Sequence, residues 1–136
     1  MIKNWFSPAA LLLCLVLAFP ALAASKSVTI EEAKRLFDSG QAVFVDARFA
    51  DEYEASHIRG AVNLPADEFE RFFPQAEPLL DKNAVIIAYC DGEFCTMSDE
   101  VAEELFKRGF ADVRILHDGW NKWLKRKLPV SKGLNP

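Results

Sequence analysis

The run Val85-Ile86-Ile87-Ala88-Tyr89 is apolar at every position and ends on Cys90. A strand without alternation has to be covered on both faces, as an interior strand of a parallel sheet is. From Ser98 the pattern changes. Val101, Ala102, Leu105 and Phe106 fall on one side of a helix, and Asp99, Glu100, Glu103, Glu104, Lys107 and Arg108 fall on the other. Ser98 or Thr96 is placed to cap that helix and Gly109 to end it. Cys90 is thereby set at the carboxyl end of a strand, and the next helix aims its free N–H groups back at the sulfur. That arrangement favours a thiolate over a thiol.

Met1 to Ala23 reads as a secretory signal. Lys3 precedes an apolar stretch from Ala9 to Phe19, then Pro20, then Ala21-Leu22-Ala23 with small residues where signal peptidase reads. The stretch is short of the roughly 20 residues a membrane span needs, so cleavage after Ala23 is expected rather than anchoring. Leu13 stands where a lipidation motif at Cys14 needs a small residue. The expectation is an exported, periplasmic protein with no stable membrane association after cleavage, and one domain over residues 24–136. Loss of Lys3 leaves 15 basic against 20 acidic residues, a net of −5. The short KWLKRK from Lys122 to Lys127 reads as the solvated face of a last helix, so no nucleic-acid partner is expected.

Cleavage also removes Cys14 and leaves two cysteines, Cys90 and Cys95. An exported pair usually signals a structural disulfide. Two cysteines in one short loop would constrain little of the unfolded chain, which favours a redox or catalytic use.

Elsewhere helices alternate with strands. Thr29-Ile30-Glu31-Glu32 has the form of a capping box, opening a helix with Ala33, Leu36 and Phe37 inward that stops at Gly40. Ala42–Val45 reads as a strand, Phe49–Ala55 as a short helix with Tyr53 inward, and His57–Gly60 as a turn. Ala61–Leu64 reads as a strand and Asp67–Phe73 as a helix, with Pro74 and Pro78 punctuating the segment after it. Val113–Leu116 is a last strand. His117-Asp118-Gly119 turns into a terminal helix carrying Trp120, Trp123 and Leu124, ended by Pro129. The alternation argues an α/β fold, a small parallel β-sheet with helices on both faces.

Three segments carry a family resemblance. They are VFVDARFADEYEASHIRGAVNLP (Val43 to Pro65), VIIAYC (Val85 to Cys90) with the helix ending KRGF (Lys107 to Phe110), and VRILHDGWNKW (Val113 to Trp123). In the first, Asp46, Arg48, Glu52, Tyr53, His57, Gly60, Ala61, Asn63 and Pro65 stand in register. Together these segments resemble the rhodanese-like domains over nearly all of the chain after the signal. The resemblance implies a catalytic cysteine at Cys90 that takes a sulfane sulfur as a persulfide and hands it to a nucleophilic acceptor. The departures fall in the site. The loop CDGEFCTMS is longer than the family's tight loop, holds no basic residue, and carries Asp91 and Glu93. Asp118-Gly119 stands for the family's final Gly-Gly pair, and Ser56 for a glycine common before the histidine.

Cys90 is the candidate nucleophile, with Asp91, Gly92, Glu93, Phe94, Thr96, Met97 and Ser98 as the substrate-binding loop. Gly92 would help successive N–H groups curl round an anion. Asp91 and Glu93 oppose a thiolate and repel thiosulfate, so a neutral or thiol-bound donor is expected. Cys95 has three readings: a resolving thiol for Cys90, a second sulfur carrier, or a small loop residue without a role. A further option makes it the nucleophile. Asp46 and Arg48 are supporting residues. Arg48 reads as a structural ion pair, with Glu52, or as the positive charge the loop lacks. His57 reads as a hydrogen-bonded structural histidine. His57 and His117 form no convincing metal set with two cysteines, and no cofactor is called for. Phe94 stands at the loop tip, either exposed or folded onto Tyr89 or Met97.

The leading expectation is a sulfurtransferase acting between a small sulfur donor or protein persulfide and a thiol acceptor. A thiol–disulfide redox protein using Cys90 and Cys95, and a binding module of the same fold, are the alternatives. Phosphatase or arsenate-reductase chemistry needs an arginine to clamp the oxyanion, and Asp91 to Ser98 contain none.

Overall fold

β5 (Val85–Tyr89) lies in the middle of a five-stranded sheet, as its unbroken apolar run requires. The computed structural model describes residues 25–136, so the signal and its cleavage after Ala23 lie outside the described residues. In chain order the elements are β1 (Lys26–Ser27), α1 (Ile30–Ser39), β2 (Ala42–Asp46), α2 (Ala50–Ala55), β3 (His57–Ile58) and β4 (Val62–Asn63). Then come α3 (Phe69–Ala76), β5, α4 (Met97–Lys107), β6 (Asp112–Leu116), α5 (Gly119–Lys125) and β7 (Val130–Ser131). The sheet order is β1-β6-β5-β2-β4 with every pair parallel, and Ile87 of β5 sits between Phe44 of β2 and Arg114 of β6.

The strand alternation sends side chains to two cores. Val45, Ile86, Val113 and Ile115 meet Phe69 and Ala76 of α3 and Val101, Ala102 and Leu105 of α4. Phe44, Ile87, Tyr89 and Leu116 meet Ile30, Ala33 and Leu36 of α1, Tyr53 of α2, and Trp120 and Trp123 of α5. Each fully buried large side chain contributes about 1.5–3 kcal/mol of transfer free energy. Trp123 is 0% exposed and donates its indole N–H to the Pro129 carbonyl at 2.9 Å. Among the described residues no helix is long and apolar enough to cross a membrane.

Several local expectations change in the folded chain. The Thr29 hydroxyl caps α1 by accepting from the Glu32 N–H at 3.1 Å, but the Glu32 carboxylate pairs with Arg114 at 3.0 Å instead of closing the box. Residues 57–58 form a strand rather than a turn, paired antiparallel with β7. Two-residue strands far apart in sequence leave no periodic signal. Helix α3 continues through Pro74 to Ala76. The proline forfeits one helix bond, and the packing of Phe69, Phe73 and Ala76 outweighs the loss. The last helix stops at Lys125, ahead of Pro129, and Leu124 is 44% exposed.

A buried polar network joins the carboxyl ends of the strands. Asp46, 0% exposed at the end of β2, accepts from the Arg48 backbone N–H at 3.0 Å and from its guanidinium at 3.1 and 2.7 Å. It also accepts from the Tyr89 hydroxyl at 2.6 Å. Tyr89 in turn accepts from the Ile58 N–H at 3.1 Å, and Arg48 donates to the Ser56 carbonyl at 2.8 Å. The Arg48 guanidinium lies over the Trp120 ring at 4.6 Å. Burial is the largest single influence and works against the charge on Arg48, but the hydrogen bonds to Asp46 together with the charges of Asp46, Tyr89 and Asp91 more than restore it. Asp46→Ala would leave that guanidinium buried without its partner. The expected loss is about 3–5 kcal/mol of stability, read from urea unfolding; an unchanged midpoint would remove the network from the account of stability.

Burial, with the Asp46 charge second, pushes the Tyr53 phenol up to about 12 and the Tyr89 phenol well above its usual 10. Above pH 10 the unfolded chain ionises first and so binds fewer protons than the folded chain. The stability these phenols contribute is therefore complete below about pH 10, and the Tyr53 share is lost as pH rises through about 12. Unfolding midpoints stepped across that window should fall, and Tyr53→Phe should make the fall shallower. An equal slope in that variant would contradict the assignment.

Candidate functional site

The chain leaves β5 at Tyr89, and the alternation of the strand turns Cys90 toward the α3–α4 face, where it is 2% exposed. Helix α5 holds its backbone from the other side. The Trp120 N–H donates to the Cys90 carbonyl at 2.8 Å and the Asn121 N–H to the Asp91 carbonyl at 2.9 Å. Gly119 makes this approach possible: at φ +56, a Cβ there would stand 2.4 Å from the Cys90 oxygen and 2.9 Å from the Asp91 carbonyl atoms. The sequence placed Gly119 at a turn, but its contact with Cys90 arises only from the packing of α5 on the sheet.

Cys90 and Cys95 are joined by a disulfide, with Cα atoms 6.3 Å apart, within the usual span of such a bond. Ser98, 1% exposed on the first turn of α4, places its Oγ 3.4 Å from Cys90 Sγ. A disulfide sulfur carries no hydrogen, so the hydroxyl is the donor. The Asp99 and Glu100 N–H groups are taken by the Thr96 carbonyl at 3.0 and 3.1 Å. Those of Met97 and Ser98 have no partner among the described residues, and they leave the helix N-terminus open beside the cysteine. Thr96 occupies the cap position of α4, but its hydroxyl bonds the Glu100 carboxylate at 3.1 Å instead of the backbone.

The anion nest expected around Gly92 is not formed. No residue from Asp91 to Ser98 has a positive φ, and the Cys95 N–H is used by the Gly92 carbonyl at 3.0 Å, closing a turn. Glu93 is exposed and Asp91 half-buried. Phe94 is 96% exposed rather than folded onto Tyr89 or Met97. Met97 and Cys95 pack partly against the α3–α4 core.

Arg48 is paired with Asp46, not Glu52, whose carboxylate accepts from the Phe49 N–H at 3.2 Å. At 3% exposure, with Nε and Nη2 bonded to Asp46 and Nη2 also to the Ser56 carbonyl, Arg48 is a buried cation whose charge interacts with that of Asp91 in the loop. His57 is buried, stacked on Tyr53 at 3.7 Å, with Nδ1 2.8 Å from the Tyr53 carbonyl oxygen. Positive charge does reach the loop from α5. A groove of about 660 Å³ is lined by Gly92, Glu93 and Phe94 on one side and by Asp118, Asn121, Lys122, Lys125 and Arg126 on the other. Lys122 pairs with Asp118 at 2.9 Å and Arg126 with Glu31 at 2.5 Å. These cations stood in the sequence as an undirected solvated face. Their spacing puts them on one stretch of helix, but only the docking of α5 brings that stretch to the loop.

The family model of the rhodanese-like domain matches residues 29–126. The chain belongs to this family. The rhodanese-like chain is 35% identical over 127 residues to the uncharacterized protein YibN of Escherichia coli, covering 92% of this chain and 86% of that one. It is 35% identical over 107 residues to the HTH-type transcriptional regulator Rv0324 of Mycobacterium tuberculosis, covering 79% of this chain but only 45% of the regulator. Among solved structures, the thiosulfate sulfurtransferase of Pseudomonas aeruginosa superposes with a TM-score of 0.62 at 28% identity, over 80% of this chain and 20% of that one.

The Gly119 contact makes a differential prediction within this rhodanese-like site. Gly60 has φ +79 with nothing within 4 Å of the place a Cβ would take, whereas Gly119 has the Cys90 oxygen in the way. Gly60→Ala should cost about 1–2 kcal/mol from backbone conformation alone. Gly119→Ala should cost clearly more, and should also change the rate at which reduced Cys90 is alkylated. Equal costs in urea unfolding would show that the close approach is not limiting.

Proposed function

We propose that this rhodanese-like chain is a sulfurtransferase that carries a sulfane sulfur on Cys90 and passes it to a thiol acceptor. The observation that carries the reading is the placement of Cys90. It ends the central strand, its carbonyl is gripped by α5, and its sulfur faces the Ser98 hydroxyl and the open N-terminus of α4. A reduced Cys90 there has hydrogen-bond donors beside its sulfur, and the thiolate is the form that attacks sulfur. In the transfer, the thiolate forms a bond to the sulfane sulfur of the donor and the donor's remaining group leaves with the electron pair. The family match supports this reading, and so does the likeness to a thiosulfate sulfurtransferase.

The donor class is set by the loop's charge. Asp91 and Glu93 flank the cysteine and no basic residue lies between Asp91 and Ser98. An inorganic dianion such as thiosulfate is disfavoured there, and a thiol-bound persulfide, small or on a protein, fits better. The amino-terminal signal pattern supports export to the periplasm with cleavage after Ala23. N-terminal sequencing of the protein recovered from its native cell would find Ala24 first if so.

Intact mass spectrometry of the reduced protein after exposure to an alkyl persulfide should detect a gain of one sulfur. Cys90→Ser should abolish both the gain and any turnover. Unchanged turnover in Cys90→Ser would end the assignment. The Cys90–Cys95 bond favours a second reading, a thiol–disulfide redox protein. That reading requires reversible oxidation of the pair with a measurable midpoint potential; a pair that stays reduced under a strong oxidant excludes it.

A further inference from the structure

We infer that Cys95 discharges the Cys90 persulfide as hydrosulfide, so that the rhodanese-like chain reduces a sulfane sulfur to sulfide with its own thiol pair. This rests on the sulfur-carrying reading of Cys90 and names a residue of the same loop as the thiol that displaces the carried sulfur. The disulfide is the observation that directs it. Cys95 Sγ is bonded to Cys90 Sγ, with Cα atoms 6.3 Å apart, so in the folded loop the Cys95 thiol reaches the inner sulfur of a Cys90 persulfide. Attack there forms the bond the structure contains and expels the outer sulfur.

The step balances within the chain. Cys95, as thiolate, supplies the electron pair for the new Cys90–Cys95 bond. The bond between Cys90 Sγ and the sulfane sulfur breaks, and that sulfur leaves with the pair as hydrosulfide, taking the proton of the persulfide. The sulfane sulfur is reduced by two electrons, and the two cysteine sulfurs are each oxidised by one. An external dithiol then returns the pair to the thiol state and is itself oxidised to a disulfide.

The surroundings give the return step a direction. Cys95 is partly exposed whereas Cys90 is 2% exposed, so an incoming dithiol meets the Cys95 sulfur. Cys90 is then the leaving thiolate. It departs beside the Ser98 hydroxyl, 3.4 Å away, and the open N-terminus of α4, which can donate to the departing sulfur. A staple would not need this arrangement. The bond joins residues only five apart in sequence, so it constrains the unfolded chain less than a long-range bond would.

The test uses the protein reduced, freed of reductant and kept anaerobic, with an equivalent of glutathione persulfide as the probe. Free sulfide and intact mass are followed together, and Cys90→Ser sets the background from decomposition of the probe. The wild type should release an equivalent of sulfide above that background and finish two hydrogens lighter than the reduced chain. Cys95→Ser should keep the added sulfur on Cys90, releasing it only when a dithiol is added. Sulfide release from Cys95→Ser at the wild-type rate, a stable added sulfur on the wild type, or an added sulfur mapped to Cys95 would each overturn the inference. If neither the wild type nor Cys95→Ser takes up sulfur or releases sulfide above background, the sulfur-carrying reading itself fails, and the inference with it.

Discussion

The buried pairing of Asp46 with Arg48 is the constraint on which the site-bearing edge of the sheet depends. One carboxylate at the end of β2 gathers the Arg48 backbone and guanidinium and the Tyr89 hydroxyl. Through these it reaches β3 by the Ile58 N–H, the end of α2 by the Ser56 carbonyl, and α5 by the stacking of Arg48 on Trp120. Asn63 of β4 adds bonds to the Asp46 and Arg48 carbonyls at 3.1 and 3.2 Å. A buried ion pair is no guarantee of stability, since desolvation offsets much of the attraction. Its effect here is to fix geometry. Six elements converge on a network in which each group needs its partner, and so they hold one relative position.

That fixed position matters because α5 is the back wall of the cysteine loop. Its first turn donates two N–H groups to the carbonyls of Cys90 and Asp91, and Gly119 lets the backbones meet. The cysteine is thus held between two helix N-termini, with α5 gripping its backbone and α4 facing its sulfur. The electrostatics of the loop are mixed. Asp91 and Glu93 bring negative charge, whereas Lys122, Lys125 and Arg126 line the groove beside them. Negative charge beside the sulfur and positive charge across the groove thus come from separate elements, the loop and α5.

The sheet and its flanking helices were legible because their signals are local. Val85–Tyr89 is apolar without alternation, α1 has a cap and a glycine stop, and the helix after the loop has a clean apolar face. The position of Cys90 at a strand end was legible for the same reason. The pairing of β3 with β7 was not, since each strand is two residues long and exists only through its partner. Nor was the partner of Arg48. Glu52 stands one helical turn away in sequence, but β2 ends with Asp46 pointing into the same space, and the buried carboxylate wins. The loop also departed from expectation, because closing the Cys90–Cys95 bond takes a turn at Gly92 and leaves no residue in the left-handed conformation a nest requires.

The sequence by itself determined the α/β class, the order of the longer strands and helices and the strand-end placement of the cysteine, because periodicity and capping act over a few residues, and its quoted motifs carried the family. The tertiary structure decided which groups meet that cysteine. Gly119, Ser98, Cys95 and the α5 cations come from separate turns of chain and converge only when α4 and α5 pack against opposite faces of one sheet. Contacts of that kind depend on the relative placement of elements, which no local pattern encodes.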